Sequence, residues 1–422
     1  RYPRHPYVAE GDVQLGDFIV LNDSDARMAK EVIKKTVPEF LNEPQLAFTQ
    51  HSTKTLDDQR GKSYFLSMMA VYIDALYQLH FVAGAALGYH PPLVGHSVFL
   101  RTEALEACGR MQEDGHIVFW SEGHISEDFE LMMNFYNAGY IGRYVAYEDC
   151  EFQEGVTRTF DEEARKMRKF STGAHELMFN PMSQWFASGI FSDVFHRFVS
   201  SALPTHYKLH LIAYLASYFS TGIFFIVIFA TMVLFILGLG DNFFAINPIA
   251  IVILNLAIYT IVGMPAFLIL ITRIKMVSPG LLFKPYRTEG YGKFFFKQLF
   301  LYTIFQLVFF NAVPNHLILG ATDHIFSRKT VFGATNKDEN SESFFRVLRS
   351  IVLNNLESWV IASLTAGIVI VAWILSDASL ITTVIPPIGL SVLAFVVPFL
   401  LNPDLWNAMV GRNKRPDPVE QV

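Results

Sequence analysis

Long stretches without a charged side chain constrain the fold of this 422-residue chain more than any other feature. Each stretch equals or approaches the roughly 20 apolar residues that an α-helix needs to cross a bilayer. Charged side chains are costly in lipid, so their absence from such a stretch predicts a membrane helix. The stretches are Leu211–Gly240, Phe243–Thr272, Gln298–Thr322, Trp359–Ser376 and Leu380–Asn402. The first two and the last two are predicted transmembrane helices, and the chain is therefore predicted to be an integral membrane protein.

Basic residues in the connections predict how these helices are oriented, because cytoplasmic loops carry an excess of Lys and Arg. One basic connection contains Arg273, Lys275, Lys284, Arg287, Lys293 and Lys297, and the next contains Arg328, Lys329, Lys337, Arg346 and Arg349. Both are predicted to be cytoplasmic, whereas the turns near Asp241 and Asp377 carry neither residue type and face the other side. The stretch between them, Gln298–Thr322, then starts and ends on one side. It is predicted to be re-entrant or interfacial, and the alternative that it crosses the membrane stays open.

Composition supports a membrane protein and bears on its partners. The chain is 52% hydrophobic and only 17% charged, which is too apolar for an ordinary soluble enzyme. Its formal net charge of -6 gives no polycationic signature, so nucleic acid is not an expected partner. The two cysteines, Cys108 and Cys150, cannot form a disulfide framework, which fits a reducing compartment for the polar part.

The first half of the chain has a different pattern, in which short apolar runs alternate with polar segments that contain Gly and Pro. This pattern is typical of an α/β domain. At its end, Met182–Lys208 mixes aromatic residues with Asp193, His196 and Arg197. We expect an amphipathic helix there that lies on the lipid headgroups, and a connecting helix of the soluble domain is the alternative.

The run Phe18–Met28, FIVLNDSDARM, places two carboxylates directly after an apolar stretch. Its β-branched and aromatic residues, followed by Asp23 and Asp25, predict a strand that ends at the ligand-binding edge of an open α/β sheet. Neighbouring carboxylates repel one another unless a cation joins them, and Mg²⁺ or Mn²⁺ carrying a diphosphate is the natural candidate. In the alternative interpretation, the two aspartates form a turn and cap a helix from Ala26 to Val37.

A second acidic site occurs in the run His124–Leu131, which contains Ser126, Glu127 and Asp128. Ser126 is predicted to cap the N-terminus of a helix, with the two acids in its first turn. A carboxylate held there could act as a general base. The alternative is that these acids only stabilise the helix N-terminus.

Taken in chain order, these motifs resemble those of the family 2 processive glycosyltransferases, the group of cellulose, chitin, hyaluronan and bacterial glucan synthases. The motifs are Asp23-Ser24-Asp25, Gly95-His96-Ser97 and Ser126-Glu127-Asp128, followed by a basic stretch and membrane helices. The resemblance implies that Asp23 and Asp25 hold Mg²⁺ or Mn²⁺ together with the diphosphate of a nucleotide sugar.

The same resemblance implies the remaining roles at the site. It places the catalytic base on Asp128, with Glu127 in the same catalytic motif. It also places Gly95, His96 and Ser97 in a loop near the acceptor sugar.

The family's next motif, Gln-(Gln/Arg)-x-x-Arg-Trp, differs here, because the equivalent stretch Arg165–Gly173 contains neither Gln nor Trp. Arg165, Arg168 and Lys169 are still predicted to bind the donor diphosphate, since their charge is retained. Phe170 is predicted to stack on the face of an acceptor sugar. A plain solvated basic helix is the alternative.

Further along the chain, the segment Phe332–Lys337 resembles the Phe-x-Val-Thr-x-Lys gating loop of the cellulose synthases. The resemblance implies a gating loop formed by Phe332, Gly333, Thr335 and Lys337, in which Thr335 and Lys337 contact the donor diphosphate. The segment lies in the second basic connection, so the charge pattern and the motif both predict a cytoplasmic loop.

The sequence around Phe152–Val156 and Glu176–Pro181 is similar to a fungal branch of this family. In family enzymes the first half of the nucleotide-binding sheet precedes the Asp-x-Asp motif, and nothing before Gly16 can supply it. The expected fold is therefore the second half of a GT-A type α/β domain, followed by an α-helical membrane domain. The predicted divisions are a partial GT-A domain at 1–181, an amphipathic interface region at 182–208, two transmembrane helices at 209–272, a cytoplasmic or interfacial region with the gating-like loop at 273–358, two transmembrane helices at 359–403 and a cytoplasmic tail at 404–422.

The expected function is that of a membrane-embedded inverting glycosyltransferase. It would polymerise a sugar from a nucleotide sugar such as UDP-glucose or UDP-GlcNAc and extrude a cell-wall or extracellular polysaccharide. The expected partners are the donor, the growing polysaccharide and membrane lipid, with the catalytic domain on the cytoplasmic side of the plasma membrane. The alternatives are a nonprocessive lipid glycosyltransferase, an inactive homologue, and a transporter or scaffold. A transporter is expected to bury ionisable residues in its spans, and the four predicted spans contain no Asp, Glu, Lys or Arg.

Overall fold

The computed structural model describes residues 16–59, 62–111, 117–120, 124–147, 152–237, 312–328, 343–376 and 385–410. The strands are β1 (Phe18–Leu21), β2 (Leu46–His51), β3 (Thr53–Thr55), β4 (Val98–Arg101), β5 (Arg110–Met111), β6 (Ile117–Val118), β7 (Ile141–Val145) and β8 (Phe152–Glu154). The helices before the first membrane helix are α1 (Val32–Asn42), α2 (Tyr64–Ala75), α3 (Val82–Ala86), α4 (Thr102–Ala107), α5 (Glu127–Asn137), α6 (Phe160–Met178), α7 (Trp185–Ser188) and α8 (Asp193–Ser200). The later helices are α9 (Thr205–Ile236), α10 (Pro314–Ile325), α11 (Phe344–Ile374), α12 (Ile385–Leu400) and α13 (Pro403–Met409).

The main sheet is mixed and has the strand order β1-β4-β2-β7. β4 pairs antiparallel with both β1 and β2, while β2 and β7 pair in parallel. β1, β2 and β7 therefore run in the same direction, and their carboxyl ends meet at one edge of the sheet. β2 is buried at every position, as expected for a central strand with helices on both faces. The prediction of an α/β domain is confirmed, and Asp23 lies just beyond the carboxyl end of β1.

The helix predicted from Ala26 to Val37 begins later than expected, because α1 starts at Val32. The residues before it are held in another conformation. The backbone N–H of Ala26 donates to the carbonyl of Asp23 at 3.0 Å, which closes a turn. Arg27 then forms a backbone bridge to Gln153 of β8. These bonds satisfy the backbone outside a helix, so the prediction was wrong about where the helix starts.

One hydrophobic core joins the α/β domain to the first membrane helix. It contains Phe48 of β2, Phe135 of α5, Leu177 of α6, Phe198 of α8 and Leu215 of α9. Side chains of this size stabilise a fold by roughly 1.5–3 kcal/mol each when fully buried. The core therefore runs across the predicted divisions at residues 181 and 208.

Two helices within the described ranges are long and apolar enough to cross a membrane. They are Thr205–Val227, which is part of α9, and α11, Phe344–Ile374. Both begin earlier in the chain than the stretches predicted from charge alone. Near the C-terminus, Ser391–Leu400 and Pro403–Met409 meet the same criteria only as a pair bent by 59°, as in a broken span or a re-entrant loop. The predicted span Phe243–Thr272 lies outside the described residues.

The middle apolar stretch, Gln298–Thr322, ends in a helix that packs against protein. α10 has 12 residues and a length of about 18 Å, which is too short to cross a hydrocarbon core of about 30 Å. Its carbonyl groups at Leu317 and Gly320 accept hydrogen bonds from Ser171 and Thr172 of α6, at 2.8 and 3.0 Å. The described part of this stretch is therefore an accessory helix on α6, and residues 298–311 lie outside the described residues.

The region Met182–Lys208, in which an amphipathic helix is predicted, contains several short helices. A 3₁₀ turn at Met182–Gln184 and α7 end at Gly189, whose φ of 84° lies in the left-handed region. Ser192 then caps α8 by accepting a hydrogen bond from the Phe195 N–H at 3.1 Å. Phe186 is nevertheless fully exposed, so part of the predicted apolar surface is present.

Candidate active site

A pocket of about 480 Å³ lies where the carboxyl edge of the sheet meets α5, α6 and α9. Seven of the residues predicted for the site line this pocket: Asp23, Gly95, His96, Glu127, Asp128, Lys169 and Phe170. Asp25, Ser97, Arg165 and Arg168 are not among its lining residues. The predicted gating loop of Phe332, Gly333, Thr335 and Lys337 lies outside the described residues.

Asp128 occupies the first turn of α5, where the helix N-terminus favours a negative charge. Burial, together with the carboxylates of Glu127 and Asp23, nevertheless raises the pKa of Asp128 to about 7. The His96 imidazole and a hydrogen bond from Trp120 act in the opposite direction. A carboxyl group with a pKa near neutrality is suited to accept a proton during a reaction.

Ser126 precedes α5 as predicted, but its side chain makes no capping hydrogen bond. Its hydroxyl lies against Gly173 of α6, where an added Cβ would collide with the hydroxyl oxygen. The prediction of a side-chain cap was therefore wrong. The hydroxyl instead lies at the contact that brings the start of α5 against α6.

The loop before β4 presses against the Asp128 carboxylate. Gly95 has a φ of 83°, and a Cβ added there would overlap the carboxylate. Both features require glycine, because side chains are disfavoured at such a φ and no space remains for a methyl group. Ser97 also has a positive φ, 53°, and is fully buried, so its contribution to the pocket is a bend in the backbone.

A buried glutamine holds this loop from the side of the sheet. The Gln50 side-chain amide donates to the carbonyl of His96 at 3.0 Å, and its oxygen accepts from the N–H of Val94 at 3.0 Å. Gln50 lies on β2 and is completely buried. The loop is thereby fixed to the central strand of the sheet.

Glu154 is a site residue that the sequence analysis missed. It ends β8, lines the pocket and lies 3.0 Å from Nε2 of His96. Burial raises the pKa of Glu154, whereas His96 and Lys166 lower it. The local sequence gives little signal for this residue, because the strand that Glu154 ends is only three residues long and contains one apolar side chain, Phe152.

α6 presents two faces with different partners. Lys166, Lys169 and Phe170 line the pocket, as expected for residues three and four positions apart on one helix face. Lys166 was not among the predicted residues. Its ammonium lies 2.7 Å from the Glu163 carboxylate and 5.9 Å from the centre of the Phe170 ring.

The other face of α6 carries Arg168, whose guanidinium points to α10 and α11. It donates two hydrogen bonds to the Asp323 carboxylate of α10, at 2.7 and 3.0 Å, and also pairs with Glu357 of α11. Arg165 is exposed and lies outside the pocket lining. Neither arginine therefore lines the pocket, and for Arg168 the predicted role in binding the donor diphosphate disagrees with this geometry, because its guanidinium is bound by Asp323 and Glu357.

α9 supplies one wall of the pocket through two tyrosines. The hydroxyl groups of Tyr214 and Tyr218 are 2.8 Å apart, and the Phe170 ring packs edge-on against Tyr218 with centroids 5.5 Å apart. Sequence reasoning treated these tyrosines only as part of a membrane-spanning stretch. The pocket is therefore bounded directly by a candidate membrane helix.

The carboxylate oxygens that line the pocket are the kind of ligand that a hard divalent cation prefers. Within the described ranges, no three His, Cys, Asp or Glu side chains are grouped as a metal site. Mg²⁺, however, commonly uses one or two protein carboxylates and completes its shell with water and substrate phosphates. Asp23 offers such a carboxylate to the pocket, whereas Asp25 does not line it.

Comparison with known protein families identifies the family of the chain. The family described as glycosyl transferase family group 2 matches residues 18–239, more than half of the chain. The chain therefore belongs to the family 2 glycosyltransferases, which implies a nucleotide-sugar donor and an acceptor. Enzymes of this family generally use divalent metal ions. No curated protein matches the chain.

Proposed function

We propose that the chain is a membrane-embedded inverting glycosyltransferase that polymerises a sugar from a nucleotide-sugar donor and extrudes the product. The observation that carries this proposal is the position of the pocket. It joins Asp23 and Asp128 at the edge of the sheet to Tyr214 and Tyr218 of a candidate membrane helix. A site for sugar transfer and a path along the membrane domain would thus begin at the same place.

Asp128 is the proposed general base. In an inverting transfer, an acceptor hydroxyl attacks the anomeric carbon, the bond to the diphosphate breaks, and the hydroxyl proton moves to a carboxylate oxygen. A pKa of about 7 lets Asp128 take the proton at neutral pH and release it afterwards. Since Gly95 closes one side of the carboxylate, the acceptor must approach from the open side of the pocket.

Lys166 and Lys169 are the proposed protein contacts for the departing diphosphate, because they are the lysines that line the pocket. Their charges would stabilise the negative charge that develops on the leaving group. A divalent ion bound at Asp23 would neutralise part of the same diphosphate charge. Arg168 has no part in this proposal, because its guanidinium is engaged by Asp323 and Glu357.

Phe170 and Tyr218 are the proposed platform for the acceptor. A sugar ring has an apolar face that stacks on aromatic rings, and these two rings stand against each other in the pocket wall. An uncharged chain that grows there would leave along the membrane helices. The proposed donors are UDP-glucose or UDP-GlcNAc, and the proposed location is the plasma membrane with the pocket on the cytoplasmic side.

The decisive experiment is a comparison of wild-type protein with Asp128→Asn in a product assay that uses labelled nucleotide sugars. Asn keeps the size of the side chain but cannot take a proton at neutral pH. We expect turnover to fall by about 10²- to 10⁴-fold while nucleotide affinity changes little. Glu106→Gln, an exposed carboxylate on α4, is the matched control and should retain activity.

Wild-type turnover in Asp128→Asn would remove this residue from the role of base. Analysis of the product separates the remaining possibilities. A polymer supports the proposed function, whereas a single sugar on a lipid would identify a nonprocessive lipid glycosyltransferase.

A further inference from the structure

We propose that Glu154 is a positioning residue that fixes the orientation of the His96 ring beside Asp128. The proposal rests on the proposed function, because it assigns Glu154 a part in the reaction at Asp128. Glu154 would touch neither donor nor acceptor and would act only through His96.

The contact between the two side chains is close and shielded from water. Oε2 of Glu154 lies 3.0 Å from Nε2 of His96, and the two side chains are only 14% and 17% exposed. The hydroxyl of Tyr77 lies 3.3 Å from the same ring nitrogen. A carboxylate in such a position is costly to bury unless it is paired, so the pairing with His96 accounts for its presence.

Glu154 is itself held by rigid structure. Its strand, β8, pairs in parallel with β3, and its carbonyl accepts a hydrogen bond from the Leu56 N–H at 2.9 Å. The side chain therefore starts from a fixed backbone, as a residue that orients another should. No role in the β3–β8 pairing requires a carboxylate at this position.

The backbone of His96 is equally fixed, which leaves its ring as the adjustable part. Gln50 binds the backbone on both sides of Gly95, and the N–H of His51 donates to the carbonyl of Ser97 at 3.0 Å. The other ring nitrogen of His96 has only a long contact of 3.4 Å to the Ser97 hydroxyl. The bond to Glu154 is thus the shortest of the three contacts that select a ring orientation, the others being those to Tyr77 and Ser97.

Several other titratable groups interact with His96 and Glu154. His96 faces Glu154, Tyr77 and Asp128. Glu154 is also influenced by Lys166 of α6, Asp23 after β1 and Asp74 of α2. Because His96 acts on Asp128 as well, a ring that turns away changes the surroundings of the proposed base.

A double-mutant cycle in the full chain tests the proposal. Glu154→Ala should lower kcat by about 10- to 100-fold with little change in the KM for the donor, because a misplaced group affects turnover most. Glu154→Gln keeps a planar oxygen that accepts the ring N–H and should retain most of kcat. If Glu154 acts through His96, the double variant Glu154→Ala/His96→Ala should be no slower than His96→Ala alone. If the loss of kcat in the double variant instead equals the product of the losses in the two single variants, the two residues act independently and the proposal is overturned.

A second measurement does not depend on activity. Diethyl pyrocarbonate modifies a free imidazole nitrogen, and peptide mass spectrometry can follow its rate at each histidine. His96 should react several-fold faster in Glu154→Ala than in wild type or Glu154→Gln, while exposed His196 on α8 reacts equally in all three. An unchanged His96 rate would refute the contact. A faster rate in a chain that transfers no sugar would support the contact and refute the proposed function.

Discussion

Replacing Asp128 by Asn should stabilise the folded chain near neutral and alkaline pH and have little effect in acid. Burial raises the pKa of this carboxyl from its ordinary value of 3.8 to about 7. The folded chain therefore binds this proton more tightly than the unfolded chain does. Stability linked to the group is fully present below about pH 4 and is lost as the pH rises through about 7.

The size of the effect follows from the same difference. At about 1.4 kcal/mol for each tenfold change in proton affinity, ionising Asp128 costs the fold up to about 4 kcal/mol at pH 8. Asn carries no charge at any pH and avoids this cost. For a chain of this size, several kcal/mol correspond to a rise of several degrees in the unfolding midpoint.

The assay is thermal unfolding of detergent-solubilised protein between pH 4.5 and 8.5, in buffer with a chelator so that bound cations do not offset the charge. The midpoint difference between Asp128→Asn and wild type should grow as the pH rises. Glu106→Gln, which changes an exposed carboxylate, should show no such trend. The reasoning is refuted if Asp128→Asn is no more stable than wild type at pH 8, because the buried charge would then carry no cost.

Three further predictions concern the surroundings of the pocket. Asp23→Ala should remove the dependence of nucleotide-diphosphate binding on Mg²⁺ or Mn²⁺, and calorimetry that still shows this dependence would contradict the assignment. Gly95→Ala should lower turnover by about 100-fold and stability by about 1–2 kcal/mol, because its methyl group overlaps Asp128 and its φ is 83°. Normal kinetics in that variant would disprove the close packing. Arg168→Ala should lower the free energy of unfolding by about 3–5 kcal/mol, because the buried Asp323 carboxylate loses its positively charged partner. The KM for the donor should be unchanged. A large rise in KM would restore Arg168 to the donor site.

Local patterns in the sequence were sufficient to predict the α/β domain and two acidic positions in one pocket. The strand at Phe18–Leu21 and the helix that begins at Glu127 can each be predicted from the types and spacing of a few neighbouring residues. The charge-free stretches likewise predicted membrane helices, of which parts of α9 and α11 are long and apolar enough. These features depend on neighbours in the chain, which is why the sequence alone contains them.

Features that depend on distant contacts were not predictable in the same way. The basic run at Arg165–Lys169 shows that cations are present but not which of them face the pocket. That choice depends on α10, which comes from far along the chain and engages Arg168. Glu154 was missed for a related reason, because its partner His96 is brought to it by the pairing of β3 with β8.

The two faces of α6 have a consequence for how relatives of this chain can diverge. Each residue in a helix is rotated by about 100° from the one before it, so one face of α6 lines the pocket while the other contacts α10 and α11. A substitution at Lys166 or Phe170 can change the pocket wall without weakening the bond from Arg168 to Asp323. Insertion of one residue into α6 would rotate both faces out of place together. The side chains that α6 gives to the pocket can therefore change by substitution, while the contacts on both faces constrain the length of the helix.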